Sequence, residues 1–284
     1  MRVVEKVAEM QRLADTWRGQ GERIAFVPTM GFLHKGHLDL MRMARQLGKK
    51  VVISIFVNPA QFAPHEDFDS YPRDLERDLK LAGEVGVDIA FVPRREEMYP
   101  EGFQTYVNVM AVTKNLCGQS RPIFFQGVAT VVSKLFHAVK PHFAVFGEKD
   151  FQQLVTIRRM VRDMNMDVTV VGHPIVREDD GLAMSSRNAY LQMEERPIAL
   201  RLNRSLKKAQ TLLDSGERNA DAVIKAVSDY ISSGGGARID YVKLCNPETI
   251  EDIERIDGPA LLALAVWVGK TRLIDNTVLQ IKAG

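Results

Sequence analysis

An α/β fold, a doubly wound parallel sheet followed by a smaller C-terminal α+β domain, is what this sequence predicts, and three observations predict it. Short continuous apolar runs rich in Val, Ile and Phe recur through the first 176 residues, and amphipathic helix-like stretches separate them in regular alternation. After about residue 176 the texture changes to polar helices followed by closely spaced β-type runs. Parallel strands need crossover connections, which helices supply, so the alternation points to a Rossmann-like sheet covered on both faces.

The elements follow in order. Residues 23–28 (RIAFVP), 50–57 (KVVISIFV), 87–92 (VDIAFV), 142–146 (HFAVF) and 167–171 (DVTVV) read as strands buried on both faces. Residues 36–47, 72–85, 127–139 and 151–165 read as the intervening helices. Residues 194–213 and 219–232 read as polar helices, and SSGGG at 232–236 reads as a flexible turn. Residues 239–244, 261–268 and 271–274 are spaced for a small antiparallel sheet. A boundary near Val176 and Arg177 divides the chain into a Rossmann-like domain, 1–176, and a C-terminal α+β domain, 177–284.

Composition excludes several classes. With 38 Lys plus Arg against 36 Asp plus Glu among 284 residues, the formal charge is +2, and a dedicated nucleic-acid binder needs a more cationic surface. Hydrophobic residues at 45% and charged residues at 26% are ordinary for globular proteins, which argues against disorder. The start, MRVVEKVAEMQRLADTW, lacks the layout of a secretory signal, and the longest apolar run, 260–268, is far short of the ~20 residues of a membrane helix. Cys117 and Cys245 form no CxxC pair, so neither a disulfide scaffold nor a zinc site is expected. A cytoplasmic location, with no membrane partner, is the expectation.

The segment FVPTMGFLHKGHL at 26–38 carries the first chemical signal. It follows the first predicted strand and opens a helix, so His34 and His37 of the HxGH tetrad lie at the carboxyl edge of the sheet, where open α/β folds bind ligands. Gly36 permits close backbone approach, the helix amino terminus favours anions, and two imidazoles can donate to a triphosphate. NPAQF at 58–62 ends the next strand on the same edge. Its amides, Asn58 and Gln61, can donate and accept toward a small hydroxylated carboxylate, although Asn58 also suits an ordinary loop cap. GEKD at 147–150 offers a close-approach glycine, a mobile cation in Lys149, and in Asp150 either a ribose acceptor or a helix cap, roles that are compatible. MSSR at 184–187 combines two hydroxyls with Arg187 in a loop suited to gripping phosphates.

The HxGH tetrad after a first parallel strand resembles the HIGH signature of adenylating nucleotidyl transferases, shared with class I aminoacyl-tRNA synthetases. With PTMGFLHKGHL, NPAQF, EDFDSYPRDLERD, EMYP, FFQGVATVVSKLF, GEKDFQQL, DGLAMSSRNAYL and WVGKTRLIDN in this order, the chain is similar to the pantothenate synthetases, pantoate and β-alanine ligases, over essentially its whole length. The resemblance implies ATP contacts from Met30, Gly31, Phe32, Leu33, His34, Lys35, Gly36 and His37, from Gly147, Glu148, Lys149 and Asp150, and from Val176, Met184, Ser185, Ser186 and Arg187. It places Gln61 and Gln153 on pantoate with Asn58 and Tyr71 nearby, and it names His37, with His34, Lys149 and Arg187, as the catalytic set. MSSR is the counterpart of the KMSKS signature, with Arg187 in place of the usual Lys. Magnesium is implied as a passenger on the ATP phosphates, with no protein metal site, and a homodimer is implied as the assembly.

One stretch departs from the family. After Ser120-Arg121-Pro122 the family commonly has Gly-His-Phe, whereas this chain has Ile123-Phe124-Phe125, so no histidine role carries over. Arg121 remains a candidate contact for a carboxylate or ATP, and Ile123 and Phe124 suit an apolar plug at the strand-to-helix turn. Asp67, Asp69, Asp74 and Asp78 lack ligand spacing and read as a solvated, salt-bridged helix face. His65, His137, His142 and His173 have no spacing that asks for catalysis, and Arg158, Arg159, Arg162, Lys207 and Lys208 read as helix-face charges.

The leading expectation is an ATP-dependent ligase that joins pantoate to β-alanine through a pantoyl adenylate, releasing diphosphate and AMP. The alternative is a HIGH-motif nucleotidyltransferase acting on a phosphorylated substrate, which leaves pantoate untouched. A regulatory nucleotide-binding module without turnover is the third reading, and the intact HxGH, GEKD and MSSR segments argue against it.

Overall fold

A computed structural model describes residues 1–64 and 66–281. His65, considered above, lies outside the described residues. The chain folds into two compact units. The first comprises Met1–Met110, Ser120–Glu148 and Thr156–Pro174; the second comprises Ala111–Gln119, Lys149–Val155 and Ile175–Gly284. The second unit thus gathers two segments from upstream of Val176.

In chain order the elements are β1 (Arg2–Val4), α1 (Val7–Gly19), β2 (Ile24–Thr29), α2 (Lys35–Leu47), β3 (Lys50–Ile55), a 3₁₀ turn (Pro59–Gln61), α3 (Leu75–Glu84), β4 (Ile89–Phe91), α4 (Arg95–Met98), α5 (Cys117–Ser120), α6 (Phe124–Val139), β5 (Phe143–Gly147), a 3₁₀ turn (Glu148–Asp150), α7 (Phe151–Asp163) and β6 (Thr169–His173). A third 3₁₀ turn (Ser186–Tyr190), α8 (Arg196–Asp214), α9 (Ala220–Ser232), β7 (Ala237–Cys245), β8 (Ala260–Val268) and β9 (Thr271–Leu279) complete it.

The first unit is built on a six-stranded sheet in the order β1-β4-β3-β2-β5-β6, with every pairing parallel. Alternation along β2 shows why helices cover both faces: Ala25 and Val27 join a cluster with Met41 of α2 and Ala82 of α3, while Phe26 meets Phe136 of α6 edge-on at 6.4 Å. All five predicted strands of this unit are present, the last displaced two residues to Thr169–His173. The sequence reading missed β1 and α1. β1 is three residues long with one buried residue, and α1 fully buries only Met10 and Ala14, so neither carries a strong apolar signature.

Strand order fixes where a ligand belongs. β2 pairs with β3 on one side and with β5 on the other, so the chain leaves β2 and β5 in opposite directions and their carboxyl ends flank a crevice. Both the HxGH turn and the GEKD turn begin there. The second unit is a three-stranded antiparallel sheet, β7-β8-β9, whose Leu262, Leu264 and Val266 pack with Leu202 and Leu206 of α8 and Val223 and Val227 of α9.

Candidate active site

In the first unit the HxGH tetrad sits where the sequence placed it, with His34 preceding α2 and His37 in its first turn. The two imidazole rings lie 4.0 Å apart at 35°, and the His34 backbone N–H donates to His37 Nδ1 at 3.3 Å. Nδ1 is therefore the accepting nitrogen of His37, which puts the proton of the neutral ring on Nε2, a donor suited to an anion.

The turn from β2 to His34 has an unusual backbone, with φ of 85° at Gly31 and 50° at Phe32. Asp78 of α3 explains how it holds. The carboxylate accepts from the Phe32 N–H at 2.7 Å and the Leu33 N–H at 2.6 Å, and a Cβ on Gly31 would come within 2.9 Å of it. Asp78 is only 1% exposed, which corrects the expectation of a solvated face for this residue. Burial pushes its pKa above the ordinary carboxylate value, opposed by the two backbone hydrogen bonds and by Arg77. Asp74, by contrast, caps α3 by accepting from the Arg77 N–H. The readable signal was position: Asp78 lies four residues before the buried Ala82, on the inward stripe of its helix. Leu33 is fully buried with its N–H held by Asp78, and the Gly31 N–H donates to Thr29 Oγ1 at 3.2 Å.

Gln61 and Asn58 meet at the end of β3. Asn58 Nδ2 donates to Gln61 Oε1 and to the Gly127 carbonyl, each at 3.1 Å, and its Oδ1 accepts from the Ala60 N–H at 3.3 Å and the Tyr99 hydroxyl at 2.7 Å. Gln61 Nε2 approaches Met30 Sδ at 3.0 Å, so a residue assigned to ATP and one assigned to pantoate touch. Gly127 lets α6 press on this turn, because a Cβ there would lie 2.2 Å from the Ala60 carbonyl oxygen. Tyr71 is buried, its ring edge-on to Phe62 at 6.0 Å.

Arg121 forms a bidentate pair with Glu66 at 2.5 and 2.7 Å, donates to the Gln61 carbonyl and lies 3.8 Å over the Phe124 ring. Ile123 is 46% exposed, so it is no apolar plug; Phe125 is the buried member of that run. His142 Nδ1 accepts from the Ile24 N–H, a structural role. Among the described residues no group of three or more His, Cys, Asp or Glu is placed to hold a metal.

In the second unit Lys149 and Ser185 line one small cavity with Asn188 and Asp275. The MSSR loop is the return of a tight excursion: the Met184 N–H donates to the Val176 carbonyl at 2.9 Å, and Arg177 bridges to Ala183. Ser185 accepts from the Arg187 N–H at 3.3 Å, and Asn188 donates to Glu178 at 2.7 Å. Arg177 grips the buried Asp275 of β9 through two bonds at 2.7 and 2.9 Å, a pair that sequence reasoning missed. Lys149 is ion-paired to Asp150 at 3.7 Å. Gln153 is half-buried beside Gln152, which is buried and tied to Cys117, Val112 and Asn115.

Comparison with known proteins identifies the family of the chain. The family model described as pantoate-beta-alanine ligase matches residues 2–278. A pantothenate synthetase of Syntrophobacter fumaroxidans is 64% identical over 280 residues, covering 99% of both chains. The crystal structure of pantothenate synthetase from Thermus thermophilus superposes with a TM-score of 0.92 at 46% identity, covering 98% of this chain and 99% of that one. A pantoate-beta-alanine ligase from Francisella tularensis, complexed with beta-gamma ATP and beta-alanine, gives a TM-score of 0.81 at 30% identity over 98% of this chain and 97% of that one.

Proposed function

Because the chain belongs to the pantoate-beta-alanine ligase family, we propose that it runs the reaction in two steps on the residues described above, with ATP as the activating substrate. A pantoate carboxylate oxygen attacks the α-phosphorus of ATP, the bond to the bridging oxygen breaks, and diphosphate leaves. The β-alanine amine, in its neutral form, then attacks the carbonyl carbon of the pantoyl adenylate, loses a proton and expels AMP. No covalent enzyme intermediate is needed, so alignment and charge stabilisation carry the rate.

The observation that supports this reading is the stacked His34–His37 pair at the amino end of α2, with Nε2 as the protonated nitrogen of His37. That pair contacts the ATP phosphates, where His37 stabilises charge on the departing diphosphate. Lys149, Ser185, Ser186 and Arg187 supply further donors to the phosphates, the turn of residues 30–36 and Gly147, Glu148, Asp150, Val176 and Met184 complete the nucleotide contacts, and Gln61 and Gln153 hold pantoate. Magnesium enters on the ATP phosphates as part of the substrate. Family resemblance supports a cytoplasmic homodimer, and light scattering after gel filtration tests the assembly.

Incubation with ATP, pantoate and β-alanine tests the function. The expected products are AMP, diphosphate and one amide per turnover; AMP transfer to a phosphorylated acceptor with pantoate left unconsumed would overturn the reading.

A further inference from the structure

In the first unit a run of hydrogen bonds with a forced direction ends at Gln61. It starts from two backbone groups whose roles have no alternative: the Ala60 N–H donates to one end of the Asn58 amide at 3.3 Å, and the Gly127 carbonyl accepts from the other at 3.1 Å. A backbone N–H can only donate and a carbonyl can only accept, so the Asn58 oxygen and nitrogen are assigned without ambiguity. The Tyr99 hydroxyl donates to the same oxygen at 2.7 Å. Burial pushes the phenol pKa above its ordinary value, so the proton stays on the donor.

The second hydrogen of Asn58 Nδ2 goes to Gln61 at 3.1 Å, which makes the receiving atom Oε1. Nε2 is therefore the far end of the Gln61 amide, directed toward Met30 Sδ at 3.0 Å, and a thioether sulfur is a weak acceptor. Arg121 holds the Gln61 backbone in place by donating to its carbonyl at 3.2 Å. The ring of Tyr99 is fixed separately from its hydroxyl, edge-on to Phe103 at 5.0 Å and 6.3 Å from Phe56.

We infer that Tyr99 is a positioning residue for substrate recognition: it braces Asn58, whose amide the Ala60 N–H and the Gly127 carbonyl orient, and through Asn58 it keeps the Gln61 amide nitrogen on the side away from Asn58, so that the substrate meets a donor there. The matching group is an acceptor oxygen, a hydroxyl or carboxylate of pantoate. This rests on the function proposed above. The polarity matters because an amide turned over presents its oxygen, and an oxygen facing a carboxylate repels it.

Tyr99→Phe removes one hydroxyl and keeps the ring packing. The KM for pantoate should rise about five- to tenfold, with kcat and the KM for ATP within about twofold and the denaturation midpoint close to that of the parent. A purely structural role would instead move the midpoint or all the constants together. Gln61→Glu supplies a second measurement: it keeps an acceptor for Asn58 and puts an oxygen where the nitrogen was, so its KM for pantoate should exceed that of Gln61→Ala. An unchanged pantoate KM in Tyr99→Phe overturns the positioning role, and a parent-like pantoate KM in Gln61→Glu overturns the donor polarity. Parent enzyme that forms no AMP from ATP, pantoate and β-alanine overturns the underlying function instead, so the two failures are distinguishable.

Discussion

Asp78 and Leu33, 45 positions apart in sequence, are joined by a 2.6 Å hydrogen bond from the Leu33 N–H to Asp78 Oδ1, and the other carboxylate oxygen takes the Phe32 N–H. A single buried carboxylate thus closes the turn that delivers His34. Asp78→Asn keeps one acceptor but turns an NH₂ toward a buried N–H, so two donors face each other. Stability should fall by about 1–3 kcal/mol, read from urea denaturation. The rate of diphosphate release should fall further than that loss of folded protein explains, because the turn that aims His34 is loosened.

The same carboxylate sets opposite trends for activity and stability in acid. Its pKa is raised by burial, against the pull of the Leu33 and Phe32 N–H groups and Arg77 and with a smaller push from Asp74, so between the ordinary carboxylate value and the raised one the folded state binds more protons than the unfolded state. The sign follows: this group's contribution to stability declines as pH rises through that window and recovers as pH falls. Protonation nevertheless removes an acceptor from the turn. Activity should therefore show an acid limb above the usual Asp range, while the Asp78-dependent part of stability does not fall across it. Paired pH profiles of kcat and of the denaturation midpoint for the parent and Asp78→Asn check this.

His37 carries the most direct catalytic expectation. Its Nδ1 is occupied by the His34 N–H, and its side chain is half-buried in the first turn of α2, so truncation removes the Nε2 donor and little packing. His37→Ala should lower pantoyl adenylate formation about 10²–10³-fold, the usual cost of one preorganised donor to a developing charge, with circular dichroism unchanged. A normally folded variant with full diphosphate release would remove His37 from the mechanism.

These residues mark what was legible in the sequence. The β2-to-α2 segment could be read because a continuous apolar run with Val and Phe marks a strand buried on both faces, and a glycine between two histidines at a helix start suits close approach of an anion. Gln61 could be named but not oriented, since the groups that direct its amide, Gly127 and Tyr99, lie 66 and 38 positions away and meet it only through the fold. Asp78 was misread because a row of acidic residues on a short helix ordinarily faces water; only the packing of α3 against the β2 turn makes one of them internal. The edge strand β1 escaped because a single buried side chain, Val4, leaves no period to count.

Arg177 and Asp275 hold the base of the MSSR loop within the second unit. Asp275 has a side chain only 1% exposed, and Arg177 supplies both of its charged hydrogen bonds while also donating to the Gly181 carbonyl at 3.2 Å. The excursion from Val176 to Met184 is therefore pinned at its start to β9, and Ser185, Ser186 and Arg187 follow at once along the chain. Arg177→Ala strands a buried carboxylate, and the cost of such a break is about 3–5 kcal/mol, whereas Arg177→Lys keeps the charge but loses the fork that matches both oxygens. Urea denaturation should rank the three proteins parent, Lys variant, Ala variant. If the loop grips the nucleotide as proposed, the Lys variant, folded at assay temperature, should show a raised KM for ATP with the KM for pantoate nearly unchanged. A pantoate KM that rises in step would mean that the Arg177 anchor supports the pantoate site as well, and the role of the loop would have to be redrawn.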